Sequence, residues 1–93
     1  MESYRTPYAA WNNLSDLRGS ADIVEEVDAV TTYLGFCQPG TGATSDPKWS
    51  IMRIEQSGAE QPIITEFKWA EGRCSFDLVW NDRATYNYKF RNF

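Results

Sequence analysis

The sequence predicts a mainly β protein, a small antiparallel β-sandwich or barrel-like meander of about five strands with an irregular or short-helical N-terminal arm. The first observation is that β-branched and aromatic residues dominate the chain after residue 28, where apolar and polar positions alternate. The second is that Gly, Pro, Asn and Asp residues, which favour turns, separate these segments. A chain of 93 residues forms at most one domain. The change in residue pattern near residue 28 divides it into an N-terminal arm at 1–28 and a β-domain at 29–93.

The arm carries mixed signals. Trp11, Leu14 and Leu17 have the spacing of one helix face, whereas Gly19 and the neighbouring Asn and Ser residues oppose a long helix. Residues 23–30 place their valines and isoleucine in a pattern that fits either a short helix or a strand. We predict one short helix or turn followed by an irregular segment, with the structure of 23–30 left open.

The β-domain contains the strand candidates. They are residues 29–37, 48–56, 63–69, 74–80 and 84–90. The third candidate alternates most clearly, with Phe67 and Trp69 on one face and Glu66 and Lys68 on the other. The connection "QPGTGATSDP" lacks the Gly-Lys-Ser/Thr ending of a phosphate-binding loop, and we interpret it as a Pro/Gly connector.

The segment "WAEGRCSFDLVWNDRATYNYKF" raises the question of whether its aromatic rings bind a ligand or fill a core. The rings fall on the face that each predicted strand would bury, and the residues facing away are mixed in charge. We therefore predict a core, with Phe90 also pointing inward. The predicted core aromatics are Trp49, Phe67, Trp69, Phe76, Trp80, Tyr86 and Tyr88.

Charge and composition limit the kinds of partner and environment that the sequence favours. Nine Lys and Arg against thirteen Asp and Glu give a net charge of −4 without a basic run, which disfavours nucleic acid. The sequence shows neither a secretory signal pattern nor a long apolar run, so we expect no membrane span. Cys37 and Cys74 are expected to be reduced, half-buried thiols.

The residues that common active sites require are missing. The chain has no histidine, no GxSxG, no P-loop and no GxGxxG. The spacing of carboxylate pairs such as Glu66 with Glu71 does not mark any of them as a catalytic acid and base. The acids at 25–28 indicate a solvated face, with a calcium or magnesium site as a minor alternative. We predict a protein without catalytic activity, cofactor or metal.

The run "TTYLGFCQPGTGATSDPKWSIMRIEQSG", followed by "FKWAEGRCSFDLVWNDRATYNYKF", resembles a class of small tailed-bacteriophage proteins. The similarity covers residues 31–90 and leaves the arm outside. Asn81 stands where that class commonly has an acid. The resemblance implies a virion component made in the host cytoplasm, in many copies, that contacts other virion proteins of the capsid, connector or tail. Capsid decoration, neck and tail attachment all remain open.

Protein contacts are expected at two places. Tyr4, Tyr8 and Trp11 in the arm can become buried against a neighbouring subunit. Arg83 can form a bidentate ion pair or stack on an aromatic ring, and its simpler role would be to close a hairpin with Asp82. The edge strands of an open sheet can also add to a neighbour's sheet.

Two other functions are weighed against a structural role. A binding module for a host surface molecule such as a glycan would need an open ring face at Trp49 or Trp69. An inhibitor that mimics acidic nucleic acid would need its negative charge gathered on one face, whereas the acids are spread along the chain.

Overall fold

The computed structural model describes residues 20–40, 43–58 and 60–93. The strands are β1 Ile23–Glu26, β2 Thr31–Cys37, β3 Pro47–Gln56, β4 Thr65–Ala70, β5 Leu78–Val79 and β6 Tyr88–Lys89, with a 3-10 helix at Trp80–Thr85 between the last two. All pairings are antiparallel within one sheet, in the order β1-β2-β3-β4-β6, and β5 pairs with β3. The predicted mainly β fold is confirmed. Strands β1 to β4 form an antiparallel meander, whereas β5 returns to pair with β3 and β6 pairs with β4.

The two ends of the sheet differ from the sequence prediction. Ile23–Glu26 pairs with β2, so the sheet begins inside the segment assigned to the arm. The candidates at 74–80 and 84–90 are reduced to strands of two residues each, and the 3-10 helix takes up the end of the first and the start of the second. Tyr4, Tyr8 and Trp11 lie outside the described residues.

The sheet buries apolar side chains on both faces, which explains why β3 is apolar on both sides. The first face carries the cluster Leu34, Phe36, Met52, Ile54 and Trp69. The second face carries the cluster Cys37, Trp49, Ile51, Ala70, Leu78 and Trp80. Successive side chains of a strand point to opposite faces, so one long strand supplies both clusters.

The 3-10 helix lies against the second face, where Trp80 packs into a notch above Gly35. We use this term for the space that Gly35 leaves open because it has no side chain. A β-carbon at position 35 would lie 2.7 Å from Cε3 and Cζ3 of Trp80 and 3.2 Å from Cε3 of Trp49. The two indole rings pack with their centroids 5.8 Å apart. Glycine is therefore required here by close packing and not by backbone conformation.

The predicted core aromatics divide into three groups. Trp49, Trp69 and Trp80 are buried in the two clusters. The half-buried rings that pack against the clusters are Phe76, Tyr86 and Tyr88. The core assignment of Phe67 is wrong, because this side chain is 38% exposed, and Phe90 is 60% exposed instead of pointing inward. Both lie where β6 is too short to continue alongside β4.

Candidate functional site

Arg83 joins the 3-10 helix to the far edge of the sheet. Its Nε and Nη2 donate to the two carboxylate oxygens of Glu25 in β1 at 2.7 and 3.0 Å. Its guanidinium lies 4.6 Å from the centroid of the Trp80 ring, and Nη1 donates to the Trp80 carbonyl at 3.2 Å. The hydrogen bonds from Arg83 hold the pKa of Glu25 below its ordinary value.

This geometry replaces the predicted hairpin closure by Arg83 and Asp82. Asp82 belongs to the 3-10 helix, so no hairpin forms there. The bidentate ion pair and the stacking on a ring are both present, but within one chain. An arginine held in this way by Glu25 and Trp80 fastens the covering segment to the second face.

A second group of polar residues lies beside it on the same face. Arg53 stacks over the Tyr88 ring at 4.4 Å and donates to Glu55, which also accepts from Lys68 at 3.1 Å. Burial raises the pKa of Glu55, but the hydrogen bonds from Lys68 and Arg53 outweigh this and the net shift is downward. The cations and the anion of this group thus satisfy one another within the chain.

Tyr88 completes this group as a structural hydrogen-bond donor. Its hydroxyl donates to the Arg83 carbonyl at 2.7 Å, and its ring lies 5.6 Å from that of Tyr33. Burial raises the pKa of Tyr88 above its ordinary value, so the phenol stays protonated. The hydrogen bond to the Arg83 carbonyl holds this proton in place.

Thiol and metal chemistry find little support in the described residues. Cys37 and Cys74 are not joined in a disulfide, and burial raises the pKa of Cys74, which disfavours the reactive thiolate. Within residues 20–40, 43–58 and 60–93, no group of three or more His, Cys, Asp or Glu side chains is arranged to hold a metal ion.

The outer edge of β4 is where the backbone is left open. Residues of an antiparallel strand alternate the direction of their backbone hydrogen bonds. The Ser57 N–H donates to the Ile64 carbonyl at 3.0 Å. In the register of β3 and β4, the backbone groups of even-numbered β4 residues therefore bond to β3, and those of odd-numbered residues point away from β3. On the outer side β6 pairs only with Trp69 and Ala70. Among the described residues, none pairs with the outward backbone groups of residues 63–67.

Apolar side chains gather at the same edge. Ile63 and Ile64 are 43% and 56% exposed, and Phe67 follows on the strand itself. Phe90 lies next to Lys68, whose Nζ is 5.5 Å from the centroid of its ring. An exposed apolar strand edge is characteristic of a protein-binding surface or of an aggregation hazard. We call residues 63–67 the β4 edge.

A shallow groove extends from the β4 edge over the first face. It has a volume of about 240 Å³ and is lined by Met52, Phe67, Trp69 and Arg91. A second groove of about 200 Å³ lies at the start of the β4 edge and is lined by Glu55, Gln56, Ser57, Ile64 and Glu66. In the second groove the Ser57 hydroxyl accepts a hydrogen bond from the Ile64 N–H at 3.0 Å, and the Glu55 carboxylate accepts from Arg53 and Lys68.

The β4 edge was missed by the sequence analysis for an identifiable reason. The alternation of residues 63–69 correctly groups Ile63, Phe67 and Trp69 on one face, but only Trp69 is covered.

Comparisons with known proteins supply no family for this chain. No protein-family model matches it, no curated protein is significantly similar to it, and no solved structure matches its fold. In the part of the chain that the structure describes, no helix is long and apolar enough to cross a membrane.

Proposed function

We propose that this protein is a non-catalytic structural component of a bacteriophage particle that acts through protein–protein contacts. Its place would be in capsid decoration or in head–tail or tail attachment, with other virion proteins as partners. The observation that carries the proposal is the β4 edge, where open backbone groups and exposed apolar side chains occur together. The sequence resemblance over residues 31–90 supplies the phage context.

The polar side chains support a contact function over a catalytic one. Arg53, Lys68 and Arg83 are each engaged by a carboxylate of the same chain. The sequence also offers no histidine as a general base. Such ion pairs position one segment of the chain on another.

Burial of the tryptophans weighs against the glycan-binding alternative. That function would use an open ring face at Trp49 or Trp69, and these side chains are only 3% and 1% exposed. Glycan stacking requires a ring accessible beside polar groups. No observation on the described residues favours this second function.

The proposal is tested by the protein content of purified particles. Particles of the phage or prophage that encodes this chain would be separated on a density gradient, washed at high salt and analysed by mass spectrometry. We expect the chain in the particle fraction at a fixed ratio to the major capsid protein. A non-structural protein from the same lysate serves as the control for carry-over.

One result would contradict the proposal directly. The chain would be present in the lysate but absent from washed particles, as the control protein is. Loss of the chain in the high-salt wash alone would also count against a stable structural contact, because apolar contacts and backbone hydrogen bonds resist salt better than exposed charge pairs.

A further inference from the structure

We infer that two copies of this chain associate through the β4 edge, extending the sheet across a two-fold axis that passes between their Thr65 residues. An isologous contact of this kind requires a surface that is complementary to itself. An exposed strand satisfies this requirement for its backbone, because two antiparallel edges exchange N–H and C=O groups.

The register of this contact is fixed by what covers the rest of β4. Lys89 pairs with Trp69, and Tyr88 pairs with Ala70, so a second copy cannot reach those positions. The open stretch is therefore residues 63–67, and its centre is Thr65. Thr65 and Phe67 direct their backbone groups outward, as the ladder of β4 with β3 requires. The same alternation, continued to Ile63 just before the strand, directs its backbone groups outward in the dimer. Centring on Thr65 pairs these outward groups with one another.

The side chains match in the same register. Ile63 of one copy lies opposite Phe67 of the other on the first face, and the reverse pair forms on the other side of the axis. Both side chains are exposed in the single chain, at 43% and 38%, so both gain burial. Thr65 meets its own copy, and β-branched residues suit such a cross-strand pair. On the second face Ile64 lies opposite Glu66, so no two like charges stand directly opposite.

Other pairings fit less well. Centring on Phe67 would place Glu66 opposite Lys68, but it would also place Thr65 against Trp69, whose outer side is occupied by Lys89. The opposite edge of the sheet, β1, has the sequence Ile-Val-Glu-Glu. Self-pairing centred on Val24 would set Ile23 against Glu25, and self-pairing centred on Glu25 would set two carboxylates directly opposite each other. Glu25 of that strand is in addition held by Arg83. The β4 edge is thus the better self-complementary edge of the two.

A second copy of this chain is one partner for the contacts of the proposed function. The biological meaning of the dimer rests on that function, but the existence of the dimer does not. The dimer is a property of the purified chain, whereas the proposed function concerns particles. A chain that dimerises but is absent from particles would overturn the function alone. A monomeric chain found in particles would overturn the dimer alone.

The test measures the solution mass of the full chain by sedimentation equilibrium over a dilution series. We expect a monomer–dimer equilibrium. Thr65→Pro removes one outward N–H per copy without touching the ladder to β3, and Phe67→Lys replaces an apolar contact by an edge lysine. Each change should weaken the dimer about tenfold or more, which corresponds to about 1.4 kcal/mol.

The matched control is Val24→Lys, which introduces the same charge at a side chain that is 39% exposed on the β1 edge. It should leave the dissociation constant unchanged. The inference is overturned if the parent chain is monomeric throughout, if Val24→Lys weakens the dimer as much as Phe67→Lys, or if neither β4 substitution weakens it. Circular dichroism checks folding, and if Thr65→Pro does not fold, Phe67→Lys decides, since it leaves the backbone unaltered.

Discussion

The second face of the sheet and the β4 edge differ in how far their apolar side chains are buried. On the second face, the 3-10 helix covers the strands, and Trp80 fills the notch above Gly35. At the β4 edge, Ile63, Ile64 and Phe67 remain 43%, 56% and 38% exposed. The difference lies in the length of the covering chain, because β6 ends after pairing with the last residues of β4.

This contrast separates residues that stabilise the fold from residues available to a partner. Substitutions on the second face should lower the free energy of unfolding of the single chain, whereas substitutions at the β4 edge should leave it nearly unchanged.

Gly35→Ala should be the most damaging of these changes. The added methyl group would lie 2.7 Å from the Trp80 ring, and overpacking of a buried contact costs about 1–3 kcal/mol. Chemical denaturation followed by tryptophan fluorescence measures the loss. In a Trp80→Leu background the same change should cost less, because the smaller side chain leaves room. An equal cost in both backgrounds would show that the indole is not the obstacle.

Glu25→Gln should have a smaller effect that depends on pH. The folded pKa of Glu25 is lowered by Arg83, so the ion pair stabilises the protein above the ordinary carboxyl pKa and is lost as the pH falls through the folded value. Because Glu25 is partly exposed, we expect at most about 1 kcal/mol at neutral pH. Thermal melts of both proteins should therefore converge as the pH is lowered.

The control for this pair is Glu60→Gln, which removes the same charge from the exposed connection before β4. It should leave both the melting temperature and its pH dependence close to those of the parent. If the Glu25→Gln protein lost the same stability at acidic and neutral pH, the ion pair with Arg83 would not be the cause.

Phe67→Lys should have the smallest effect on the single chain. At a dilution where only monomer is present, its free energy of unfolding should lie within about 0.5 kcal/mol of the parent value, as is usual for surface positions. Denaturation curves at that dilution measure it. A loss as large as that of Gly35→Ala would place Phe67 among the core residues and remove the contrast between the two regions.

The sequence alone determined the β class and much of the central sheet. Alternation and β-branched residues located the segments that became β2, β3 and β4, because strand periodicity is a local property of the chain. The burial of Trp49, Trp69 and Trp80 followed from the same alternation together with their large apolar area. These features depend on neighbours within one strand, and the sequence contains them directly.

The tertiary structure alone decided which of the apolar residues are covered. Alternation assigns Phe67 to a face, but it does not say that β6 stops short of it. Arg83 meets Glu25 across a separation of 58 residues, which no local pattern encodes. The 3-10 helix lies on the second face, where Trp80 packs over Gly35, a contact between distant parts of the chain. Periodicity fixes the face to which a side chain points, whereas the burial of that side chain depends on where the rest of the chain is placed.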